Sequence, residues 1–205
     1  MIRLYRFPLS TNVERVALAL AHKDLPVESI VINPKDRSEV RRVSGQDLVP
    51  VIEDEGRVVF DSMEIVRYLE DRYPRNPLYP AAEARRAEVL VFIDWFNRVW
   101  KRPPNEIEAE MGKVAPDRSR IERLGRAMTE ALDLFEAMLS GRDYLMGEFS
   151  AADCAAFPFL KYGLIPPKKD DSYLFHRILT DHQPLGSNHP RLTEWIRRMD
   201  RRPRA

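Results

Sequence analysis

The fold is decided by residues 48–62, which read LVPVIEDEGRVVFDS. Val49 to Ile52 is a short apolar run with a proline near its start, where a β-strand tolerates one. Glu55-Gly56 is a turn signal, and Val58 to Phe60 is apolar again. The stretch therefore predicts a β-hairpin whose first strand is opened by proline.

Alternating strand and helix signals continue on both sides of this hairpin. Upstream, Ile2 to Tyr5 and Val27 to Ile32 read as strands, and apolar residues between Val13 and Ala21 repeat at helical spacing. The polar stretch 33–45 predicts an irregular helix. Downstream, a helix begins at Ser62. The predicted order is β-α-β-α-β-β-α, which indicates an α/β domain.

A proline-rich stretch follows this domain. Residues 73–80 read YPRNPLYP, and proline at that density breaks regular structure. The stretch therefore predicts a linker between a domain at residues 1–74 and a second domain at residues 82–205.

The second domain reads as all-helical. A long amphipathic helix runs from Ile121 to Met138, and Pro190 opens a last helix. Residues 164–187 are polar and irregular, and we expect at most one short helix there, near Tyr173 to Leu179.

The first helix of the second domain, residues 84–102, is apolar on more than one side. Val91 and Trp95 fall on the far side, among charged residues. They either cover a second part of the core or form a subunit interface or the wall of an apolar ligand pocket. The main arc is wide enough for core packing and comprises Val89, Phe92, Ile93, Phe96, Val99 and Trp100.

Composition excludes several classes of protein. The 205 residues are 44% hydrophobic and 32% charged, as in a water-soluble globular protein. The formal net charge of +1 provides no field that would steer the chain to nucleic acid or to an anionic membrane. The N-terminus has no apolar run long enough for a signal peptide or a membrane span.

Cysteine and histidine usage adds two expectations. Cys154 is the single cysteine, so no intrachain disulfide can form, and this suits a reducing compartment such as the cytoplasm. Cys154 lies in an alanine-rich helix, where a small buried residue is expected rather than a nucleophile. The histidines show no metal-ligand spacing, so no metal site is expected.

Several short motifs occur in a fixed order. Ser10 lies five residues before Arg15, and an apolar residue follows the arginine. Val49-Pro50 opens the hairpin, and Asp61-Ser62 opens the next helix. Residues 149–153, FSAAD, read as a helix capping box. In this order the motifs resemble the glutathione S-transferase family over nearly the whole chain, except at residues 164–187.

The resemblance implies an α/β thioredoxin-like N-terminal domain that binds glutathione, followed by an all-α C-terminal helical bundle. It implies a cytoplasmic homodimer that conjugates glutathione, its co-substrate, to a small hydrophobic electrophile in detoxification, without a metal. Leu48 and Thr11 depart from the family pattern, where lysine and proline are frequent. These departures bear on the substrate more than on the fold.

The resemblance also implies a set of glutathione-binding residues. A helix N-terminus binds carboxylate well, so the hydroxyl and N–H of Ser62 suit the γ-glutamyl carboxylate. Asp61 takes the neighbouring ammonium, or the acid comes from across a dimer interface. Val49, before a cis Pro50, pairs with the cysteinyl backbone like an added strand. Asp61 and Ser62 could instead be helix caps only.

The resemblance implies Ser10 as the catalytic residue. A thiol with a pKa of roughly 8.5 is only a few per cent ionised at neutral pH. A hydroxyl that donates a hydrogen bond to sulfur, and the N-terminus of the first helix, both favour the thiolate. Tyr5 is the alternative, since some classes use a tyrosine at the end of the first strand. Ser10 could also be only the N-cap of the helix.

The sequence leaves two classes of function open. The first is a glutathione transferase with a thiolate stabilised by Ser10. The second is a non-catalytic binding or regulatory protein on the same fold, as in stringent starvation proteins or the gamma subunit of a translation elongation factor. Thiol–disulfide exchange is disfavoured because no cysteine lies near Ser10.

Overall fold

The computed structural model describes all of residues 1–205. The chain forms two compact units, one made of Met1–Pro80 together with Arg202–Ala205 and the other of Ala81–Arg201. No helix combines the length and the apolar character that crossing a bilayer requires.

The first unit is a mixed four-stranded sheet with helices. In chain order its elements are β1 (Ile2–Arg6), α1 (Thr11–His22), β2 (Val27–Val31), α2 (Ser38–Ser44), β3 (Val51–Asp54), β4 (Arg57–Phe60) and α3 (Ser62–Arg72). The strand order is β2-β1-β3-β4, with β1 parallel to β2 and the other neighbours antiparallel. The parallel pair is connected by a helix because a short turn cannot reverse the chain between parallel strands. The predicted order of elements is confirmed.

β3 begins at Val51, two residues later than the sequence predicts. Pro50 has no N–H to donate to a neighbouring strand, so pairing starts just beyond it. The Val49–Pro50 peptide bond is cis, as the resemblance implied. Val51 pairs with Tyr5 of β1 on one side and with Phe60 of β4 on the other.

One face of the sheet is packed by apolar side chains. Val49 and Val58, both partly buried, pack against this cluster. Outside this cluster, helices α1 and α3 pack against each other. The buried members of the cluster are Tyr5, Phe7, Ile32, Val40 and Val51.

A buried ion pair fixes the start of the predicted linker. Lys23 Nζ lies 2.7 Å from Glu70 Oε2 and donates to the carbonyl of Tyr73 at 2.8 Å. Glu70 in turn accepts from the N–H of Leu78 at 3.0 Å. Because both charges are buried and hydrogen-bonded, the proline-rich stretch is held in place rather than loose.

The second unit is all-helical apart from two isolated β-bridges. Its helices are α4 (Glu83–Trp95), α5 (Arg102–Met111), α6 (Arg118–Met138), α7 (Ala151–Leu160), α8 (Leu174–Asp181) and α9 (Pro190–Asp200). A π-helical turn at Phe96–Trp100 separates α4 from α5, and a 3₁₀ turn at Lys161–Gly163 follows α7. The short helix predicted near Tyr173 to Leu179 is α8.

The π-helical turn corrects the interpretation of residues 84–102 as one regular helix. A π-helix has more residues per turn than an α-helix, so side chains within it rotate away from the arc that regular spacing predicts. Val99, predicted in the core arc, is 55% exposed, whereas Phe96 and Trp100 are buried.

The two residues outside that arc have different surroundings. Trp95 packs against Phe92 and Phe135, with ring centroids 5.9 Å apart in both pairs. Trp95 therefore covers a part of the aromatic core. Val91 is 69% exposed and packs into no core.

The predicted capping box at the start of α7 is present. Ser150 Oγ accepts from the N–H of Ala152, and Asp153 Oδ2 accepts from the N–H of Ser150 at 3.0 Å. Asp153 Oδ1 also accepts from Trp195 Nε1 at 2.9 Å, which ties α9 to this end of α7. Complete burial raises the pKa of Asp153 to about 6, although its donors favour the carboxylate. Cys154 is buried, as predicted.

Candidate functional site

Strand register brings three chain segments to the same end of the sheet, where three neighbouring strands begin or end. Tyr5, Val51 and Phe60 form a cross-strand row through β1, β3 and β4. Beyond this row, β1 leads towards Ser10, β3 is preceded by Val49-Pro50, and β4 leads into Asp61-Ser62. Ser10, Val49-Pro50 and Asp61-Ser62 therefore all lie in segments that adjoin the same ends of these three strands.

Ser10 is the N-cap of α1. Its Oγ accepts from the N–H of Val13 at 3.3 Å, which is the usual N-cap bond. That bond occupies a lone pair of the oxygen and leaves the hydroxyl hydrogen available for another acceptor. Capping and donation to a thiolate are therefore compatible roles for Ser10.

The hydroxyl group of Tyr5 already makes a hydrogen bond within the chain. Its side chain is fully buried, and its hydroxyl donates to Glu53 Oε2 at 3.1 Å. Burial, followed by the hydrogen bond to Glu53, raises the pKa of Tyr5. Arg3 also donates to the same carboxylate oxygen, so Glu53 is held as the acceptor.

The backbone N–H and C=O of Val49 are not hydrogen-bonded within the chain. Its side chain packs against the apolar cluster of the sheet. No hydrogen bond within the chain uses its N–H or C=O, because strand pairing starts at Val51. A free N–H and C=O on one residue are what an extended peptide needs in order to add itself as a strand.

Asp61 caps α3 from a strained backbone. Its Oδ1 accepts from the N–H groups of Met63 at 2.9 Å and Glu64 at 3.2 Å. Its φ of 66° lies where residues other than glycine are uncommon, at a cost of roughly 1–3 kcal/mol. Such strain concentrates at functional sites, and here the two cap bonds offset part of it.

Ser62 is reached by a buried arginine. Arg15 Nη1, from α1, donates to Ser62 Oγ at 3.3 Å, and both residues are buried. In the sequence, Arg15 is notable only because it lies five residues after Ser10. The structure adds a positive charge in contact with the hydroxyl that is expected to bind a carboxylate. No pattern signalled this contact, because buried arginines are rare.

A cavity next to these residues and the search for a metal site add no further candidate residue. A cavity of about 430 Å³ is lined by charged side chains of β4 and α3, including Arg57, Glu64 and Arg67. It contains none of the candidate residues. No cluster of three or more His, Cys, Asp or Glu side chains is placed to hold a metal ion.

Family models match both parts of the chain. Residues 4–77 match the glutathione S-transferase N-terminal domain, and residues 65–203 match the glutathione S-transferase C-terminal domain. The glutathione S-transferase GstB of Escherichia coli K12 is 28% identical over 170 residues, which is 78% of this chain and 82% of that protein. The stringent starvation protein A homologue of Coxiella burnetii is 23% identical over 208 residues, covering 98% and 97%.

Solved structures show the same fold. The β-etherase LigF from Sphingobium sp. strain SYK-6 matches with a TM-score of 0.83 at 21% identity, covering 98% of this chain and 96% of that one. A glutathione S-transferase from Rhodospirillum rubrum F11 matches with a TM-score of 0.74 at 27% identity, covering 99% and 89%.

A thioredoxin-like domain followed by an all-helical domain defines the class of protein. The chain belongs to the glutathione S-transferase family, since the two domain models together span residues 4–203.

Proposed function

We propose that the chain is a glutathione transferase that conjugates glutathione to small hydrophobic electrophiles. The observation that carries the proposal is the hydroxyl of Ser10, which caps α1 through an oxygen lone pair and keeps its hydrogen for a ligand. Tyr5 supports the same choice, because its hydroxyl already donates to Glu53.

The chemical step follows from stabilising the thiolate. The glutathione thiol loses its proton to solvent, and the Ser10 O–H and the N-terminus of α1 stabilise the resulting anion. The sulfur lone pair then forms a bond to the electrophilic carbon. In a substitution, the bonding electrons of the broken bond depart with the leaving group.

Glutathione is proposed to lie along the sheet edge of the domain formed by residues 1–74. Val49 pairs with the cysteinyl backbone just before Pro50, and Ser62 binds the γ-glutamyl carboxylate. Asp61 accepts from the ammonium. Arg15 adds a fixed positive charge in contact with Ser62.

Isothermal titration with glutathione, followed by an electrophile panel, tests this function. We expect saturable binding and conjugation of at least one electrophile above the rate of the uncatalysed reaction. S-methylglutathione is the matched control ligand, because it keeps both carboxylates and the amine but has no thiol to ionise. It should bind and give no product. A chain that binds neither ligand contradicts the proposal.

A second candidate is a non-catalytic binding or regulatory protein. The specific observation in its favour is the match to the stringent starvation protein A homologue, which spans almost the whole of both chains. This candidate predicts no conjugation with any electrophile and no effect of Ser10 substitution.

We further propose a cytoplasmic homodimer with a role in detoxification. The apolar surface of α4 and the π-helical turn supports the dimer, because Leu90, Val91 and Val99 are all exposed. A single buried cysteine is compatible with the reducing cytoplasm.

A further inference from the structure

The side-chain amide of Gln46 forms two hydrogen bonds with the backbone of Leu48, the residue before Val49. Gln46 Nε2 donates to the carbonyl of Leu48 at 2.9 Å, and Gln46 Oε1 accepts from the N–H of Leu48 at 2.5 Å. A single amide thus satisfies both backbone groups of one residue, as a neighbouring strand does in an antiparallel sheet. This pair of bonds is called the Gln46 clasp below.

The clasp has a fixed orientation. Gln46 Nε2 also donates to Ser44 Oγ at 3.0 Å, and Ser44 Oγ donates to the carbonyl of Val40 at 2.8 Å. These bonds connect the amide to the last turn of α2. Because Ser44 engages the nitrogen end, the oxygen end is left facing the N–H of Leu48.

No packing of the Leu48 side chain could replace the clasp, since that side chain is 70% exposed. The preceding residue is held independently, because Asp47 accepts at its carbonyl from Arg37 Nη1 at 2.9 Å. The backbone of Leu48 itself is therefore positioned by Gln46.

Leu48 and Val49 differ in how their backbone groups are used. One amide bonds both the N–H and the C=O of Leu48. The chain bends at Val49, just before the cis Pro50, and no bond within the chain uses the N–H or C=O of Val49.

We propose that Gln46 is a positioning residue that sets the backbone register of a peptide-like ligand. The clasp saturates Leu48 and leaves Val49 as the residue to which an extended ligand adds its own N–H and C=O. A ligand that paired one residue away would turn its opposite face to the site. The inference rests on the proposed function, with glutathione as the ligand.

The test compares Gln46→Met with Arg42→Met. Methionine at position 46 has a similar length but makes neither bond of the clasp. Arg42 is an exposed residue of α2 outside the clasp, so Arg42→Met introduces the same side chain nearby and keeps the clasp intact. For Gln46→Met we expect the Kd and KM for glutathione to rise roughly five- to tenfold, with kcat and the KM for the electrophile unchanged. Arg42→Met should stay within about twofold of wild type.

Amide hydrogen exchange in the ligand-free protein reports on the clasp directly. The Leu48 N–H should be protected in wild type and lose that protection in Gln46→Met. The Met63 N–H, which Asp61 holds, is the internal reference and should not change. An unprotected Leu48 N–H in wild type would overturn the proposal.

The binding results separate this proposal from the proposed function. If wild type binds glutathione and Gln46→Met binds it equally well, the positioning role is refuted and the function stands. If wild type binds no glutathione, the proposed function and the positioning role are refuted together.

Discussion

Arg15 Nη1 donates to Ser62 Oγ at 3.3 Å, and this bond joins α1 to α3. Both residues are buried, so the hydroxyl is one acceptor for a charge that water does not solvate well. The hydroxyl still has its own hydrogen to donate. Ser62 is therefore involved in the stability of the first unit as well as in the proposed binding of glutathione.

Replacing Ser62 by alanine should reduce both properties. We expect the free energy of unfolding to fall by about 1–3 kcal/mol, because the guanidinium of Arg15 loses a buried acceptor. Glutathione affinity should fall by about 1–2 kcal/mol through the lost bond to a carboxylate. Chemical denaturation and isothermal titration measure the two effects separately.

Ser62→Thr is the matched control, since it keeps the hydroxyl for both partners. It should retain most of the affinity and most of the stability. A Ser62→Ala protein that is less stable but binds glutathione unchanged would restrict Ser62 to a structural role.

Ser10→Ala should lower kcat/KM roughly 10- to 100-fold, the range for losing a hydrogen bond to a charged group. Loss of the N-cap should also cost about 1 kcal/mol of stability. Ser10→Asp separates the two effects, because aspartate caps a helix well but donates no hydrogen when ionised. It should be stable and inactive.

The pKa of the bound thiol gives a direct reading of the same role. Thiolate absorbance in a pH titration of the glutathione complex should show a higher thiol pKa in Ser10→Ala than in wild type. Tyr5→Phe should leave that pKa unchanged, because the tyrosine hydroxyl is directed at Glu53. If Tyr5→Phe is the inactive variant instead, the catalytic assignment is reversed.

Asp153 should make the chain less stable as the pH rises from about 4 to about 6. Its pKa is raised to about 6 by burial, so the folded state binds a proton that the unfolded state releases near its ordinary value of about 3.9. The contribution of Asp153 to the free energy of unfolding is complete below the pKa of the unfolded state. It is lost as the pH rises through the pKa of the folded state. The shift corresponds to roughly 3 kcal/mol.

Denaturation of wild type and Asp153→Asn at several pH values isolates this contribution. The pKa values of Glu106 and Glu110 are lowered by bonds to Arg102 and Lys113, so these groups act in the opposite direction. They are present in both proteins, so the difference between the two curves reports Asp153. Parallel curves would contradict the prediction.

Val91→Asp should convert the proposed homodimer into a monomer. The side chain is exposed on α4, and a charge there would be desolvated in an apolar interface. Sedimentation equilibrium at micromolar concentration should give twice 23.9 kDa for wild type and 23.9 kDa for the variant. Val114→Asp, at a fully exposed valine, is the control and should stay dimeric. A monomeric wild type would refute the dimer.

Local sequence signals predicted most of the fold. The proline at position 50, the Glu55-Gly56 turn and the apolar runs identify the hairpin, because strand alternation and turn chemistry depend on neighbouring residues. Regular helical spacing predicts Val99 in the core, and this is wrong because a uniform helical period cannot represent a π-helical turn.

The contacts around the candidate site were harder to anticipate. Arg15 and Gln46 are polar residues whose partners depend on tertiary geometry or on loop conformation. Arg15 meets Ser62 only after α1 and α3 pack, and Gln46 meets Leu48 through the path of the loop. Neither residue belongs to a periodic pattern, so hydrophobic spacing carries no information about them.

Because the cross-strand row of Tyr5, Val51 and Phe60 positions the candidate site, ligand binding to that site should change the melting temperature. The segments that carry the candidate residues adjoin the same strand ends only while these strands are paired, so an unfolded chain has no site. A ligand that binds only the folded state adds about 2.7 kcal/mol to unfolding at one hundred times its Kd. With glutathione as the proposed ligand, the melting temperature of this protein should rise with the free glutathione concentration, and the protein should be most vulnerable to proteolysis when that thiol is depleted.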